Sequence, residues 1–372
     1  MTAKKSILIL GVASVQRDAL VELKKMGYET HACAMAPDGP GVEVADYFVE
    51  INILHRQEII EYIKKHNIDI VYSVGSDMAM PIACSISEEL NMPHFVSEKT
   101  ARICNNKDLM RQTLGTGFEG NLNFQIIENS DEKLELDFPF IMKPTDSQGQ
   151  RGVLLIHSEE EFLKNYEDVK SYSRSGLVIL EQYITGPELS VNGYIVDGKI
   201  KFLEESDRET WPDYTGLIHR HVIPSKELPS SQREKLHEII EKTCNKLEIL
   251  NGPFYVQMKL EGTMPYIIEI TPRLDGCHMW NLLNNYCETN LLTTTFNHLL
   301  ENNTESLSSY SPKDETYYLE FICQVPKTKA DYSNFKTELK DSLDSFLYYE
   351  QDQIIRPVNG KFDKIGYFIN KK

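Results

Sequence analysis

Residues 254–276 read FYVQMKLEGTMPYIIEITPRLDG, and their pattern of apolar and polar residues is the most informative in the chain. Two apolar-rich runs, 254–261 and 266–271, flank a short segment that contains a glycine. This pattern is typical of two neighbouring strands joined by a tight turn. Because side chains alternate along a strand, Glu269 and Thr271 are expected on the same face. A carboxylate within the apolar run YIIEI requires a partner, so the hairpin is a candidate functional site.

The same hairpin offers a set of oxygen ligands. A hairpin partner can bring Gln257 beside Glu269, while Thr271 adds a hydroxyl group. One carboxylate with neutral oxygens suits Mg²⁺, which keeps several waters and takes further ligands from nucleotide phosphates. Arg273 is the alternative partner for the Glu269 carboxylate. The sequence therefore predicts either a magnesium site or an ion pair at this position.

The first hundred residues alternate short apolar runs with amphipathic stretches. The pattern predicts strands at 6–10, 30–34 and 68–74, and helices at 17–26 and 57–66. Strands that alternate with helices of this length indicate βαβ units and a parallel sheet.

Two loops of this N-terminal region could bind a ligand. The first strand ends at Gly11 in GVASVQRD, which has one glycine where a dinucleotide-binding loop has three, so NAD binding is disfavoured. Ser76 and Asp77 follow a buried strand, where parallel sheets bind ligands. We expect Asp77 to cap the next helix and keep substrate binding by Ser76 and Asp77 as the alternative.

From residue 138 onward the pattern changes from alternating strands and helices to short paired strands. A connecting helix at 105–114 precedes this part. The predicted strands are 140–143, 153–157, 178–183, 189–196, 199–205, 254–261, 266–271, 317–325 and 364–369, with a long helix at 231–247. Asp197-Gly198 between two of the strands is a strong hairpin signal. The fold class is therefore α/β followed by α+β.

The composition excludes several classes of protein. The 372 residues include 39 Lys and Arg against 56 Asp and Glu, which gives a formal net charge of −17. Such an acidic chain repels nucleic acid and anionic membranes, so we expect neither as a partner. No apolar stretch approaches the roughly 20 residues that span a bilayer. The seven scattered cysteines form no metal-binding pattern, and their odd number fits a reducing, cytoplasmic location.

Further charged residues occur in a specific order before the hairpin. Lys107 begins a helix, and Lys143 ends a strand in FPFIMKPTDSQGQRGV. The loop after Lys143 can donate backbone N–H groups to phosphate oxygens. It contains Ser147, Gly149 and Gly152. Glu181 and Glu188 follow in ILEQYITGPELSV.

This order of motifs resembles the ATP-grasp superfamily over nearly the whole chain, and most closely the carbamoyl-phosphate synthetase, biotin carboxylase and D-alanine–D-alanine ligase type. The resemblance implies a Rossmann-like domain at 1–100 and a two-lobed ATP-grasp domain. Its linker helix and small lobe would occupy 101–190, and its large lobe 191–310. A small C-terminal α+β region would occupy 311–372.

The resemblance also implies roles for the residues of this chain. Lys107 and Lys143 would contact the phosphates of ATP, and the loop from Ser147 through Gly149 to Gly152 would be a mobile flap. The adenine slot would be lined by Glu181 and by the backbone of Tyr183 and Ile184, and Glu188 would bind the ribose hydroxyls. Gln257 and Glu269 would hold Mg²⁺ or Mn²⁺, and Arg273 would stabilise the transferring phosphoryl group.

Two positions depart from the family pattern. Most relatives have an acid at the position of Gln257, although the carbamoyl-phosphate synthetase type has glutamine. Most have asparagine at the position of Thr271, so metal coordination by Thr271 does not follow from the resemblance.

The implied activity is a carboxylate–amine ligase that forms an amide through an acyl phosphate and releases ADP and phosphate. Its partners would be a small-molecule carboxylate and amine, and a homodimer stays open because dimers are common in the superfamily. An ATP-dependent phosphotransferase and a non-catalytic nucleotide-binding scaffold are the alternatives. The intact Lys107, Lys143, Glu269 and Arg273 argue against the scaffold.

Three residues are candidates for the substrate side of the site. His278 in LDGCHMWNLL is expected either to contact the substrate as a catalytic group or to pack as a structural histidine. Arg220 could clamp a substrate carboxylate, because arginine binds carboxylates through two hydrogen bonds. Cys277 has no His/Asn partner pattern that would support a thiol nucleophile.

Overall fold

The N-terminal region is a four-stranded parallel sheet in a computed structural model that describes residues 4–147, 151–358 and 360–372. The strands are β1 (Ser6–Leu10), β2 (Glu29–Ala34), β3 (Tyr47–Glu50) and β4 (Ile70–Tyr72). Their order is β3-β2-β1-β4, with all neighbours parallel. The sheet confirms the predicted α/β class, whereas the short, half-exposed β3 was not predicted from the sequence.

Three helices accompany this sheet: α1 (Ser14–Lys25), α2 (Arg56–His66) and α3 (Ala79–Leu90). The central strand β1 is buried along all five residues, because helices cover both faces of a parallel sheet. The expectation that Asp77 caps α3 is wrong. The cap position is Met78, and the hydroxyl oxygen of Ser76 accepts a hydrogen bond from the Ala79 N–H at 3.3 Å.

Two short helices, α4 (Glu98–Asn105) and α5 (Lys107–Leu114), connect the N-terminal sheet to the next part, where we predicted one helix. Asn106 is extended and therefore separates them. A second, antiparallel sheet in the order β5-β8-β6-β7 follows. It comprises β5 (Phe124–Ile127), β6 (Phe140–Pro144), β7 (Leu154–Ile156) and β8 (Val178–Gln182), with α6 (Glu159–Ser171) against it.

The third sheet has eight strands in the order β13-β12-β9-β10-β11-β14-β16-β15. Its strands are β9 (Glu188–Val196), β10 (Lys199–Trp211), β11 (Tyr214–Ile223), β12 (Gly252–Glu261), β13 (Met264–Thr271), β14 (Tyr317–Gln324), β15 (Asp344–Leu347) and β16 (Asp363–Lys371). The hairpin predicted at Asp197-Gly198 joins β9 to β10, with positive φ angles at both turn residues. Strands β14, β15 and β16 extend this sheet at one edge. The domain boundaries given above remain predictions.

Helices α7 (Ser230–Lys246), α8 (Met279–Cys287), α9 (Leu291–Glu301) and α10 (Lys336–Lys340) complete the described chain. Leu236 and Ile239 of α7 and Phe296 of α9 are fully buried in the largest core cluster, which also contains residues of β9 and β12. Within the described ranges, every helix is too short or too polar to cross a membrane. All seven cysteines are buried and unpaired.

We predict that Gly193→Ala destabilises the third sheet. Gly193 of β9 pairs with Phe254 of β12, and an added Cβ would lie 2.1 Å from the Phe254 ring. Relieving this overlap is expected to lower the free energy of unfolding by about 1–3 kcal/mol, measured by urea denaturation. The exposed Lys201→Ala on β10 is the control, with a change within about 0.5 kcal/mol. Equal stability of G193A and the wild type would contradict this packing.

Candidate functional site

The antiparallel four-stranded sheet contributes a buried acid between two cations. Lys143 on β6 and Glu181 on β8 lie on neighbouring strands, and the Lys143 Nζ is 2.5 Å from the Glu181 Oε2. The Arg111 Nε of α5 donates to the Glu181 Oε1 at 2.9 Å. All three side chains are buried, which requires this mutual neutralisation. The structure therefore makes Glu181 the counterion of two cations, Arg111 and Lys143. Its expected place in an adenine slot stays a prediction.

Arg111 also binds the third sheet. Its two terminal nitrogens donate to the backbone carbonyls of Ile267 at 2.8 Å and Ile268 at 3.1 Å, directly before Glu269 on β13. Arg111 was not among the residues predicted from the sequence. In KDLMRQTL it occupies an ordinary position of an amphipathic helix, and no spacing or motif distinguishes it from a solvated arginine.

The pKa values of Glu181 and Lys143 follow from their surroundings. Burial by itself raises the pKa of Glu181, but Arg111 and Lys143 outweigh it and hold that pKa at about 2. Burial, together with the nearby charges of Lys107 and Arg111, lowers the pKa of Lys143 to about 8, although Glu181 opposes this shift. A polyanionic ligand beside Lys143 would favour its charged form.

Lys107 lies next to the loop that follows β6. Its Nζ donates to the Ser147 carbonyl at 2.9 Å, and its backbone N–H donates to the Thr145 carbonyl at 3.0 Å. Of the predicted flap, Gly149 lies outside the described residues. Gly152 has a φ of +69°, and an added Cβ would lie 2.9 Å from Tyr172, so this position requires glycine. The structure thus brings Lys107, Lys143 and Ser147 to one end of β6.

On the third sheet, the Glu188 carboxylate contacts several polar and charged side chains. Its carboxylate accepts a hydrogen bond from the Gln257 Nε2 at 3.0 Å and pairs closely with Arg208. The Lys259 Nζ is 4.0 Å from the other carboxylate oxygen of Glu188 and 5.6 Å from the centroid of the Tyr183 ring. Tyr183 comes directly after β8, and Ile184 beside it is buried. A line of contacts therefore runs from the second sheet to Glu188.

The predicted metal ligands lie on the paired strands β12 and β13. Gln257 of β12 and Glu269 of β13 are paired in register, as predicted from the hairpin. Glu269 is partly exposed, whereas Thr271 is buried, and the Thr271 Oγ1 has no hydrogen-bond partner among the described residues. An amide oxygen, a carboxylate and an unsatisfied hydroxyl are hard oxygen donors that fit Mg²⁺ or Mn²⁺.

Arg273 connects this hairpin to the N-terminal sheet. Its Nε donates to the Asp77 Oδ1 at 2.6 Å, its Nη2 is also close to that oxygen, and its Nη1 donates to the Leu274 carbonyl at 2.9 Å. Asp77 thus forms an ion pair across two sheets instead of capping a helix. Ser76, the other predicted substrate residue of this loop, bonds to the start of α3.

His278 lies away from this line of contacts. It is completely buried, its Nδ1 is 2.7 Å from the Asp18 Oδ2, and its Nε2 is 3.0 Å from the Tyr348 hydroxyl. The ring also stacks on Tyr367. Both ring nitrogens therefore have protein partners, so the structure supports the packing role and corrects the expected catalytic one. Trp280 is buried beside it, as expected of a core residue.

Arg220 is already paired within the protein. Its Nε donates to Glu209 at 2.5 Å, and its Nη1 is 3.9 Å from a Glu320 oxygen that belongs to β14. His219 contacts the same Glu320 at 3.2 Å. A substrate carboxylate would have to displace these acids, so the expected carboxylate clamp at Arg220 is not supported.

A second polar cluster is formed by residues that follow β13 and by one residue of β11. Ligand atoms of His221, Asp275 and Cys277, all buried, lie within 4.8 Å of one another. The Lys364 Nζ is 3.7 Å from the Cys277 Sγ, and the charges of Arg208 and Lys364 act on all three groups. Two cations at this place oppose the binding of a further positive ion. The cluster suits a polar or anionic group better than a metal.

We predict that Glu181→Gln lowers the free energy of unfolding by about 3–5 kcal/mol, because it leaves buried Arg111 and Lys143 without their counterion. The pKa of Glu181 is below its ordinary value of 4.5, so its stabilisation is complete above that pH and is lost as the pH falls towards about 2. Urea denaturation between pH 7 and pH 2 should show a shallower acid limb in E181Q.

The control for this prediction is Glu241→Gln, which removes the partner of Lys199 in an ion pair at the surface. We expect a change below about 1 kcal/mol, because exposed pairs contribute little. If E181Q and E241Q unfold alike, the buried ion group does not hold the sheets together.

Comparison with known proteins identifies the part of the chain that contains these contacts. A family model described as an ATP-grasp domain matches residues 136–280. The chain is 27% identical over 189 residues to a formate-dependent phosphoribosylglycinamide formyltransferase of Prochlorococcus marinus, covering 49% of this chain and 48% of that protein. It is 24% identical over 314 residues to a phosphoribosylamine–glycine ligase of Methanococcus maripaludis, covering 74% and 69%.

The fold is shared with solved structures over the whole chain. The crystal structure of an L-amino acid ligase from Bacillus licheniformis superposes with a TM-score of 0.83 at 17% identity, covering 100% of this chain and 94% of that one. The family match spans Lys143, Glu181, Glu188, Gln257, Glu269 and Arg273. Residues 136–280 of this chain are therefore an ATP-grasp domain.

Proposed function

We propose that this chain is an ATP-dependent carboxylate–amine ligase that forms an amide through an acyl phosphate and releases ADP and phosphate. The observation that carries the proposal is the line of contacts between the second and third sheets of an ATP-grasp domain. Its charged residues are Lys107, Lys143, Glu181, Glu188, Glu269 and Arg273, and Tyr183, Lys259 and Gln257 connect them. The similarity to a phosphoribosylamine–glycine ligase and to the fold of an L-amino acid ligase supports the same reaction class.

In this proposal, two parts of this line bind different parts of ATP. Lys107 and Lys143 lie at the end of β6 with the loop from Ser147, where their positive charges suit phosphate oxygens. Glu188 lies at the start of β9, next to Tyr183, where its carboxylate can accept hydrogen bonds from ribose hydroxyls. Tyr183 and the buried Ile184 would lie against the adenine.

Gln257, Glu269 and Thr271 would hold Mg²⁺ or Mn²⁺, which neutralises phosphate charge when it is bound. Arg273 lies two residues beyond Thr271, and its buried guanidinium would offset the charge on the phosphoryl group as it moves to a substrate carboxylate oxygen. The neutral amine then attacks the acyl carbon, the carbon–oxygen bond to phosphate breaks so that phosphate leaves, and the nitrogen loses one proton.

The substrates in this proposal are a small carboxylate and an amine, with an amino acid as one of them. The cytoplasmic location and the open alternative of a homodimer remain predictions from the sequence. A phosphotransferase would transfer the same phosphoryl group but release a stable phosphorylated product, so the products distinguish the two reactions.

We predict that the wild-type protein with Mg²⁺ and ATP releases ADP and phosphate only when a carboxylate and an amine are both supplied. A screen of amino-acid pairs with a phosphate assay and mass spectrometry of the products tests this. Hydroxylamine in place of the amine should yield a hydroxamate, because it traps an acyl phosphate. A stable phosphorylated product from a single substrate would instead identify a phosphotransferase.

Glu269→Gln is expected to lower turnover by about 10²-fold or more, because it removes the one carboxylate among the three proposed metal ligands. The matched control is Glu261→Gln, an exposed acid at the end of the neighbouring strand β12, which should leave turnover unchanged. Full turnover in E269Q would contradict the metal assignment without affecting the reaction class.

A further inference from the structure

The contact between Asp77 and Arg273 joins parts of the chain that are 196 residues apart. Asp77 belongs to the loop that leaves β4 of the N-terminal sheet, and Arg273 to the loop that leaves β13 of the ATP-grasp domain. The Arg273 side chain is 7% exposed and the Asp77 side chain 20%. A buried guanidinium requires a compensating charge, and Asp77 supplies it from outside residues 136–280.

The backbone of the two loops is shaped for this contact. Gly75 has a φ of +67°, and an added Cβ there would lie 3.0 Å from the Gly276 Cα. The Gly75 carbonyl oxygen is in turn 3.3 Å from the position of a Cβ on Gly276. Two glycines thus let the loops approach each other closely, with Gly75 two positions before Asp77 and Gly276 three positions after Arg273.

The bonds made by Arg273 fix the direction of its side chain. Its Nε and Nη2 both approach one oxygen of Asp77, and its Nη1 donates to the Leu274 carbonyl. All three nitrogens are therefore engaged before any ligand binds, and Asp77 of the N-terminal loop holds two of them. Glu269 and Asp275 also act electrostatically on Arg273 but belong to its own segment of chain.

We propose that Asp77 is a positioning residue that orients the Arg273 guanidinium for phosphoryl transfer, and that the N-terminal domain thereby contributes to the chemical step. The proposal rests on the function proposed above for Arg273. It assigns to Asp77 neither contact with ATP nor contact with the substrate. Its action depends on Arg273 being present.

This dependence gives a sharp test with four proteins: wild type, Asp77→Ala, Arg273→Ala and the double variant. Turnover of D77A is expected to fall about 100-fold, because a small misplacement of a catalytic group costs about that factor. The KM for ATP should change far less, since the residues proposed to bind ATP make separate contacts. The double variant should be no slower than R273A alone.

Two further variants separate positioning from folding. Asp77→Glu keeps the charge and should restore part of the turnover lost in D77A. The affinity for Mg-ADP and the midpoint of thermal unfolding are measured for every variant. Asp69→Asn is the control, because Asp69 accepts a hydrogen bond from the Ser6 N–H in the same sheet, at 2.8 Å, and is not part of the site. It should leave turnover unchanged.

The proposal is overturned if D77A keeps wild-type turnover, or if the double variant is much slower than R273A, which would mean that Asp77 acts independently. It is also overturned if D77A loses turnover only in proportion to lost folded protein. Failure of the proposed function is a different result, because the wild type itself would then form no amide from any carboxylate and amine.

Discussion

The guanidinium of Arg111 is the point at which the helical connection, the second sheet and the third sheet meet. Four of its hydrogen bonds reach Glu181, Asn121 and the carbonyls of Ile267 and Ile268. Because the group is fully buried, each of these acceptors offsets part of the cost of removing its charge from water. The geometry of the site depends on this one residue, which fixes Lys143 through Glu181 and the Glu269 strand through its backbone.

In the proposed function, this arrangement lets a chain with a formal net charge of −17 bind a polyanion. Four cations near the site have an internal acid as partner: Glu181 pairs with both Lys143 and Arg111, Glu188 with Arg208, and Asp77 with Arg273. The three acids offset three of these four positive charges, and the pairing orients the cations before a ligand binds. Preorganised charge of this kind stabilises a transition state without the reorganisation that water would require.

Local features of the structure were predictable where a sequence pattern is compatible with few conformations. The hairpin of β12 and β13, the pairing of Gln257 with Glu269 and the Asp197-Gly198 turn were all predictable, because strand period and turn chemistry are local. Lys107 and Lys143 were recognised by their order along the chain. Their closeness to each other and to Ser147 depends on tertiary structure, which the order of residues along the chain does not show.

Long-range ion pairs were not predictable. Asp77 looked like a helix cap, because an acid before a helix usually is one, yet its partner lies 196 residues away. His278 and Arg220 looked available for substrate, because a sequence does not show that Asp18, Tyr348, Glu209 and Glu320 already engage them. Arg111 carried no signal at all. In each case the deciding contact joins segments whose relative position the local pattern leaves open.

The burial of every cysteine has a practical consequence for studying motion at this site. Burial raises the pKa of thiols such as Cys33, Cys84 and Cys287 to about 12, so these groups are both inaccessible and almost entirely protonated at neutral pH. Thiol reagents should therefore leave the folded native chain unmodified. A single cysteine introduced on the surface could carry a spin label or fluorophore without removal of the native seven.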